Sequence, residues 1–151
     1  MMRQFRLLRD NQGLAVIELA LIAPIFALLT VGIVDLSGGY SEKLKLEQAA
    51  QRTIEKAQQT KVDETMIGTL TAEGAAAAGV LPAAVVIDHW LECNGTRQAD
   101  YDTICPNGQT YARYLNVKIE KSYSPFFAKR FNGSNANGSY TLTGKAGIRT
   151  Q

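Results

Sequence analysis

Metal-binding and redox-active side chains are scarce in this sequence, which has two cysteines and one histidine among its 151 residues. A four-ligand zinc site of the common structural kind would need carboxylates to complete it, so we expect no metal ion and no cofactor. A large excess of one charge is also absent: the sequence has 16 basic and 14 acidic residues, and the basic ones form no continuous block. The composition therefore predicts no nucleic-acid partner.

Sequence motifs of catalysis are lacking as well. The chain has no phosphate-binding loop, no GxSxG nucleophile motif and no metal-binding helix motif. His89 follows Asp88 in a segment with strand character, where adjacent side chains point to opposite faces, so the two do not form a dyad. We predict that the protein is not an enzyme and has no catalytic residue.

The apolar residues are concentrated near the N-terminus. Residues 14–36 carry only two charges, Glu18 and Asp35. About twenty residues at a rise of roughly 1.5 Å cross the hydrocarbon core of a bilayer, so this segment predicts a transmembrane helix. The alternative is a cleaved secretory signal ending near the small residues 37–39, although such apolar regions usually run only about 7–15 residues.

The charges around the apolar segment predict its orientation. Arg3, Arg6 and Arg9 precede it with only Asp10 against them, whereas acidic and basic residues are mixed on the far side. Basic residues flanking a membrane span stay in the cytoplasm. We therefore expect a single-pass membrane protein with an extracytoplasmic C-terminal domain.

Both cysteines fall in the part predicted to be exported. An oxidising compartment would allow a Cys93–Cys105 disulfide, worth on the order of 3 kcal/mol by the chain-entropy estimate. Such a bond would leave no thiol to act as a nucleophile beside His89. The alternative is two buried thiols.

Residues 37–61 predict an exported amphipathic helix that continues the membrane helix, with the pair Gly38-Gly39 as a hinge. One face of this helix is apolar and should be buried; it comprises Leu36, Tyr40, Leu44, Leu46, Ala50, Ile54 and Ala57. Lys43 and Glu47 lie on the same arc at a spacing that lets them pair. Residues 62–151 are predicted to form a small exported α+β domain.

This domain begins with an alanine-rich segment, residues 63–79, that predicts a short helix ended by Gly79 and Pro82. Strand character follows in residues 84–93, 114–123 and 139–151, and Asn-Gly pairs near these segments are typical of turns rather than of glycan sites; the pairs start at Asn94, Asn107, Asn132 and Asn137. The fold class expected is α+β: a long N-terminal helix packed on a small three-stranded antiparallel sheet.

One motif points to a function. The basic stretch RLLRDNQG ends in Gly13, and the fifth residue after it is Glu18, inside the apolar segment LAVIELALIAP. This pattern resembles the class III prepilin leader and its cleavage site. More closely, GLAVIELALIAPIFALLTVGIVDLSGGY resembles the opening of TadE-like proteins, the minor pilins or pseudopilins of tight-adherence (Tad/Flp) systems. Gly13, Glu18, Pro24, Gly32 and Asp35 stand at that family's most recognisable positions, whereas Leu19 replaces an aromatic residue found in many members.

The resemblance implies that residues 1–13 are a leader removed by a prepilin peptidase between Gly13 and Leu14. It implies an assembly role for Glu18 and Pro24, and a minor pilin acting in pilus assembly, initiation or tip formation for surface adherence. The partners implied are the peptidase, other minor pilins, the major Flp pilin, inner-membrane platform proteins, and membrane lipid before assembly. The resemblance also implies a pilin-like order of long helix and small sheet, and a location in the bacterial inner membrane. The mature protein would be extracellular once it is part of a pilus.

The chemistry of Glu18 supports this interpretation. A carboxylate within a membrane span is energetically costly and is a functional candidate by default, although a glutamate snorkelling to the surface is the alternative. Cleavage after Gly13 would create an ammonium group on Leu14, one helical turn away. The competing function is a permanently membrane-anchored extracytoplasmic binding module with no role in a pilus.

Overall fold

Helix α1 (Gln12–Gln58) is the longest element of the protein, with 47 residues. It is about 70 Å long at the standard rise. The computed structural model describes residues 12–59, 64–126 and 135–150. The predicted leader therefore lies outside the described residues except for Gln12 and Gly13. The helix continues through Gly38 and Gly39, so the prediction of a hinge there was wrong.

Helix α2 (Glu64–Ala78) confirms the short helix predicted from the alanine-rich segment. Gly79 ends it in the left-handed conformation, with φ of 63°. The amides of Gly79 and Val80 donate to the carbonyls of Ala76 and Ala75, at 3.3 and 3.0 Å. This pair of bonds is the Schellman motif, which satisfies the last carbonyls of the helix. A 3₁₀ turn (Pro82–Ala84) then leads into the sheet.

The sheet has four antiparallel strands: β1 (Val85–Cys93), β2 (Thr96–Arg97), β3 (Tyr111–Tyr123) and β4 (Tyr140–Arg149). Their order is β2-β1-β3-β4. The prediction of three strands missed β2, because two residues are too few for an alternating pattern. Asn94 and Gly95 join β1 to β2 with positive φ at both positions, as a tight hairpin turn requires.

The core lies between one face of this sheet and the two helices. Leu46, Ala50, Ile54 and Ala57 of α1 are buried there, as the amphipathic pattern predicted. The buried strand residues alternate along β1 and β3, and include Val85, Leu91, Leu115, Val117 and Ile119. The lower part of the predicted face was wrong: Leu36, Tyr40 and Leu44 are exposed. At their level the helix meets β3 on another side, through Gly38, Gly39 and Glu42.

Helix α1 and strand β4 approach each other with no side chain between them at Gly144. A Cβ atom at this position would lie 2.5 Å from the carbonyl oxygen of Leu46 and 2.7 Å from the amide nitrogen of Glu47. Both of these atoms belong to the backbone of α1. The absence of a side chain at Gly144 therefore sets the distance between helix and sheet.

Candidate functional site

The N-terminal half of α1 is an apolar rod that the rest of the described structure leaves uncovered. It contains an 18-residue window that is apolar enough to cross a membrane, and none of this window is buried in the protein. The side chains of Val16, Leu21, Phe26 and Val34 are each more than 60% exposed. This half of the helix is a candidate membrane span, consistent with a single-pass membrane protein.

All four residues predicted to act in processing and assembly lie in the N-terminal half of α1. The backbone of Gly13 and Leu14 is helical, and Glu18 is exposed with no hydrogen bond or ion pair to any residue that the structure describes. Pro24 lies inside the helix and has no amide hydrogen to donate to the carbonyl of Ala20. The structure thus places Glu18 and Pro24 on the span but does not bring them into contact with the exported domain.

The top of the span is fixed to the sheet by an aromatic contact. The ring of Tyr123, the last residue of β3, packs on Gly38 and Gly39 of α1. A Cβ at Gly38 would lie 2.8 Å from the Tyr123 hydroxyl oxygen. This hydroxyl donates a hydrogen bond of 3.1 Å to the backbone carbonyl of Asp35. The two glycines therefore serve as a platform for the tyrosine ring.

The side chain of Asp35 makes a second connection at the same level. One carboxylate oxygen of Asp35 accepts a hydrogen bond of 2.7 Å from the backbone amide of Phe126. We call the set Asp35, Gly38, Gly39, Tyr123 and Phe126 the collar. It joins the end of the membrane segment to the end of β3, two segments that lie 91 residues apart in the chain. Sequence reasoning singled out Asp35 only through the family resemblance and missed its partners.

Above the collar, charged residues connect α1 to β3. One oxygen of the Glu42 carboxylate accepts a hydrogen bond of 2.8 Å from Lys121 of β3, and the other accepts one of 2.7 Å from Lys45. These bonds hold the pKa of Glu42 at about 2, below its usual value of 4.5, because they favour the charged form. Lys43 and Glu47 pair at 3.6 Å, as the sequence predicted.

Beside the collar, an apolar groove of about 1140 Å³ runs along α1. Its lower wall is formed by residues of the candidate span, among them Leu28 and Ile33, and its upper wall by Tyr123, Pro125 and Leu142. Lys43 lines it as well. The groove therefore begins on the apolar rod and ends against the sheet.

The exported domain carries the predicted disulfide. Cys93, at the end of β1, is bonded to Cys105, and their Cα atoms are 5.6 Å apart. The thiol of Cys93 is thus not available as a nucleophile. His89 points to the same face of β1 and contacts the ring of Tyr101 edge-on, with 4.7 Å between the ring centroids.

The sheet face opposite the core carries an aromatic and charged cluster. The rings of Trp90 and Tyr114 are stacked 5.1 Å apart, and the guanidinium carbon of Arg97 lies 4.8 Å from the Trp90 ring centroid. Arg97 donates two hydrogen bonds to Asp88, at 2.7 and 3.2 Å. Cross-strand pairing of β1 with β3 was not foreseen residue by residue, so the sequence did not predict this cluster.

Comparison with known proteins identifies the N-terminal part of the chain. Residues 13–54 match the family model described as TadE-like protein. The matched segment contains the exposed rod, the helical part of the collar and the start of the packed half of α1, and it confirms the resemblance found in the sequence. It supports a pilus-associated protein of the Tad system. No curated protein and no solved structure matches the chain significantly.

Proposed function

We propose that this TadE-like protein is a minor pilin, or pseudopilin, of a Tad/Flp type IV pilus. In this proposal a prepilin peptidase removes residues 1–13, and the mature chain acts in the assembly, initiation or tip of a pilus that serves surface adherence. In this role the chain makes contacts with other subunits and catalyses no reaction. Its partners are the peptidase, other minor pilins, the major Flp pilin and the inner-membrane platform proteins.

The observation that carries the proposal is the exposure of the apolar rod. A helix that is apolar on all sides must be covered by lipid or by other helices. Lipid covers it while the chain is in the membrane, and neighbouring pilin helices would cover it in a fibre. Helices that associate without a hydrophobic driving force depend on close packing and on polar contacts. Glu18 supplies a polar group of this kind.

Glu18 would fix how one pilin helix is positioned along the next. Cleavage after Gly13 creates an ammonium group on Leu14, four residues before the carboxylate. Within one chain, the carboxylate lies near the N-terminal end of the helix, where the helix dipole favours negative charge. Between chains, the carboxylate of one subunit would neutralise the new terminus of the next and fix their register. A charge in an apolar setting selects strongly for a partner of opposite sign.

Leader removal also changes what holds the chain in the membrane. The cut removes Arg3, Arg6, Arg9 and Asp10, so that 16 basic and 14 acidic side chains become 13 of each. No charged side chain then remains on the cytoplasmic side of Leu14. The energetic barrier to extracting the helix from the inner membrane is lowered accordingly, since the three arginines no longer have to cross the bilayer. The charges that remain near this end, the new ammonium group of Leu14 and the Glu18 carboxylate, are of opposite sign.

The test separates processing from assembly. Co-expression with a cognate prepilin peptidase should give a product that begins at Leu14, whereas Gly13→Val should accumulate the uncut chain. N-terminal sequencing that found a start near residue 40 would instead establish a secretory signal and refute the proposal.

Assembly is tested on chains that have been cut equally. Glu18→Gln keeps the shape of the side chain but removes the charge, so we expect cleavage to persist while recovery of other pilins by crosslinking and pull-down falls. Glu55→Gln is the matched control, because Glu55 is an exposed glutamate on the exported part of the same helix. Equal recovery of pilins with both variants would remove the assembly role of Glu18.

The alternative function, a permanently anchored binding module, is favoured by one observation. The cluster of Trp90, Tyr114 and Arg97 on the outer sheet face combines aromatic surface with charge, as binding surfaces often do. A binding module needs no leader removal and gains nothing from Glu18. An uncut chain in cells that contain the peptidase, with undiminished ligand recognition in Glu18→Gln, would favour this alternative.

A further inference from the structure

We propose that the lower rim of the exported domain rests on the outer leaflet of the membrane, with phospholipid chains filling the apolar groove and Phe126 lying in the bilayer interface. The domain would thus be seated on the membrane rather than held clear of it. The inference needs α1 to cross a bilayer, but it does not depend on a role in a pilus.

The depth of the collar in the membrane follows from the length of the span below it. Residues 15–34 are twenty helical residues and cover about 30 Å, which is the thickness of a hydrocarbon core. Asp35 then lies at its outer boundary. Because the Asp35 carboxylate accepts a hydrogen bond from the amide of Phe126, that residue lies at the same depth.

Large apolar side chains are exposed at about this depth. Phe126 is 85% exposed, Leu36 is 77% exposed and Tyr40 is 63% exposed. Large apolar side chains that are exposed near one level of a protein mark an interaction surface. Aromatic residues in particular are enriched where a membrane span meets the headgroup region, since an apolar ring with a polar edge suits that environment.

The groove has an apolar lower wall and a charged residue at its upper end. Its lower wall, at Leu28 and Ile33, lies within the hydrocarbon region by the same measure of depth, so lipid chains reach it without leaving the bilayer. Its upper end is lined by Lys43, about 12 Å further along the helix from Asp35. Lys43 pairs with Glu47 at 3.6 Å, but half of its side chain is exposed, which leaves room for an anionic phosphate beside it. An apolar channel with this ammonium group at its outer end suits a phospholipid, whose chains are apolar and whose phosphate is anionic.

The groove is continuous with the membrane span, and this continuity favours lipid over a protein partner as its occupant. A second pilin helix would have to displace lipid that already surrounds the lower wall. The polar contacts of the collar also fit this position, because both the carbonyl and the carboxylate of Asp35 accept hydrogen bonds from the protein. Asp35 therefore does not meet the apolar region with unsatisfied groups.

The experiment places a fluorescent probe at the collar. Trp90 is the single tryptophan, so Phe126→Trp is made in a Trp90→Phe background of the full-length chain. The protein is reconstituted in phosphatidylcholine–phosphatidylglycerol nanodiscs with or without lipids brominated at carbons 6 and 7. Ile104→Trp in the same background is the matched control, since Ile104 is 89% exposed on the loop between β2 and β3. Intact Cys93–Cys105 bonding in each variant shows that the domain has folded.

We expect emission from the probe at position 126 to be blue-shifted, and brominated lipid to quench it at least about twofold more than the probe at position 104. Equal, weak quenching at the two positions would overturn the proposal and show that the domain stands clear of the bilayer. A blue shift without quenching, lost when the protein is diluted with lipid, would also overturn it, because a neighbouring chain would then occupy the surface. Neither result bears on leader cleavage, so the proposed pilin role is tested separately.

Discussion

The replacement Gly144→Ala tests how helix α1 is held on the sheet. The added methyl group would lie 2.5 Å from the Leu46 carbonyl oxygen, and ordinary van der Waals contact begins at 3.4 Å. Since the opposing atoms are backbone, no side-chain rotation relieves the clash, and the helix must retreat by roughly 1 Å. A gap of this size forfeits about a quarter to a half of the dispersion energy of each contact that it opens.

The contacts at risk are those of the core, where Leu46 and Ala50 of α1 are fully buried. Overpacking of a well-packed core costs typically about 1–3 kcal/mol, and we expect a value near 3 kcal/mol because the obstacle is rigid. The assay is urea unfolding of the full chain in nanodiscs, followed by the fluorescence of Trp90. The free energy of unfolding should fall by that amount relative to the wild type.

Two other glycines serve as controls. At Gly147, in the same strand, an added Cβ would meet the side chain of Asn116, which can rotate away, so Gly147→Ala should cost less than about 1 kcal/mol. At Gly68, within α2, nothing lies within 4 Å, so Gly68→Ala should stabilise the protein by up to about 1 kcal/mol through helix propensity. If Gly144→Ala destabilises no more than Gly147→Ala does, close backbone packing does not hold the helix in place.

Two further predictions concern the exported domain. Peptide mass spectrometry without reduction should show Cys93 linked to Cys105, and replacing both by serine should lower the free energy of unfolding by about 3 kcal/mol; two thiols open to alkylation in envelope protein would contradict this. Because the pKa of Glu42 is lowered, its contribution to stability is present above pH 4.5 and is lost as the pH falls towards 2. Wild-type stability should therefore fall more steeply than that of Glu42→Gln over this range, and parallel curves would refute the assignment.

Local patterns in the sequence predicted the elements that depend on nearby residues. The apolar segment, the amphipathic half of α1, the end of α2 at Gly79 and the alternation in β3 all follow from periodicity and from turn chemistry. The packed half of α1 was predicted correctly from Leu46 onwards for this reason. The disulfide followed from the predicted export of both cysteines.

What the sequence did not predict depends on contacts between distant parts of the chain. Periodicity shows that Leu36, Tyr40 and Leu44 share a face, but it does not show that at this level the sheet meets the helix on a different side. Two adjacent glycines suggest flexibility until the tyrosine ring that rests on them is known. The bonds from Tyr123 and Phe126 to Asp35 cross about 90 residues of sequence, and no local signal announces them.

In a chain whose candidate span crosses a membrane, the unbroken helix α1 would make the C-terminal domain follow every change in the tilt of that span. From Asp35 to Gln58 the helix extends about 35 Å above the span, so a change of 20° in its tilt would carry the outer end sideways by roughly 12 Å. Bilayer thickness and neighbouring helices, which set the tilt, thereby decide where the outer sheet face is presented. A change in the thickness of the surrounding membrane is in this way converted into a displacement of the exported surface, without any rearrangement inside the domain.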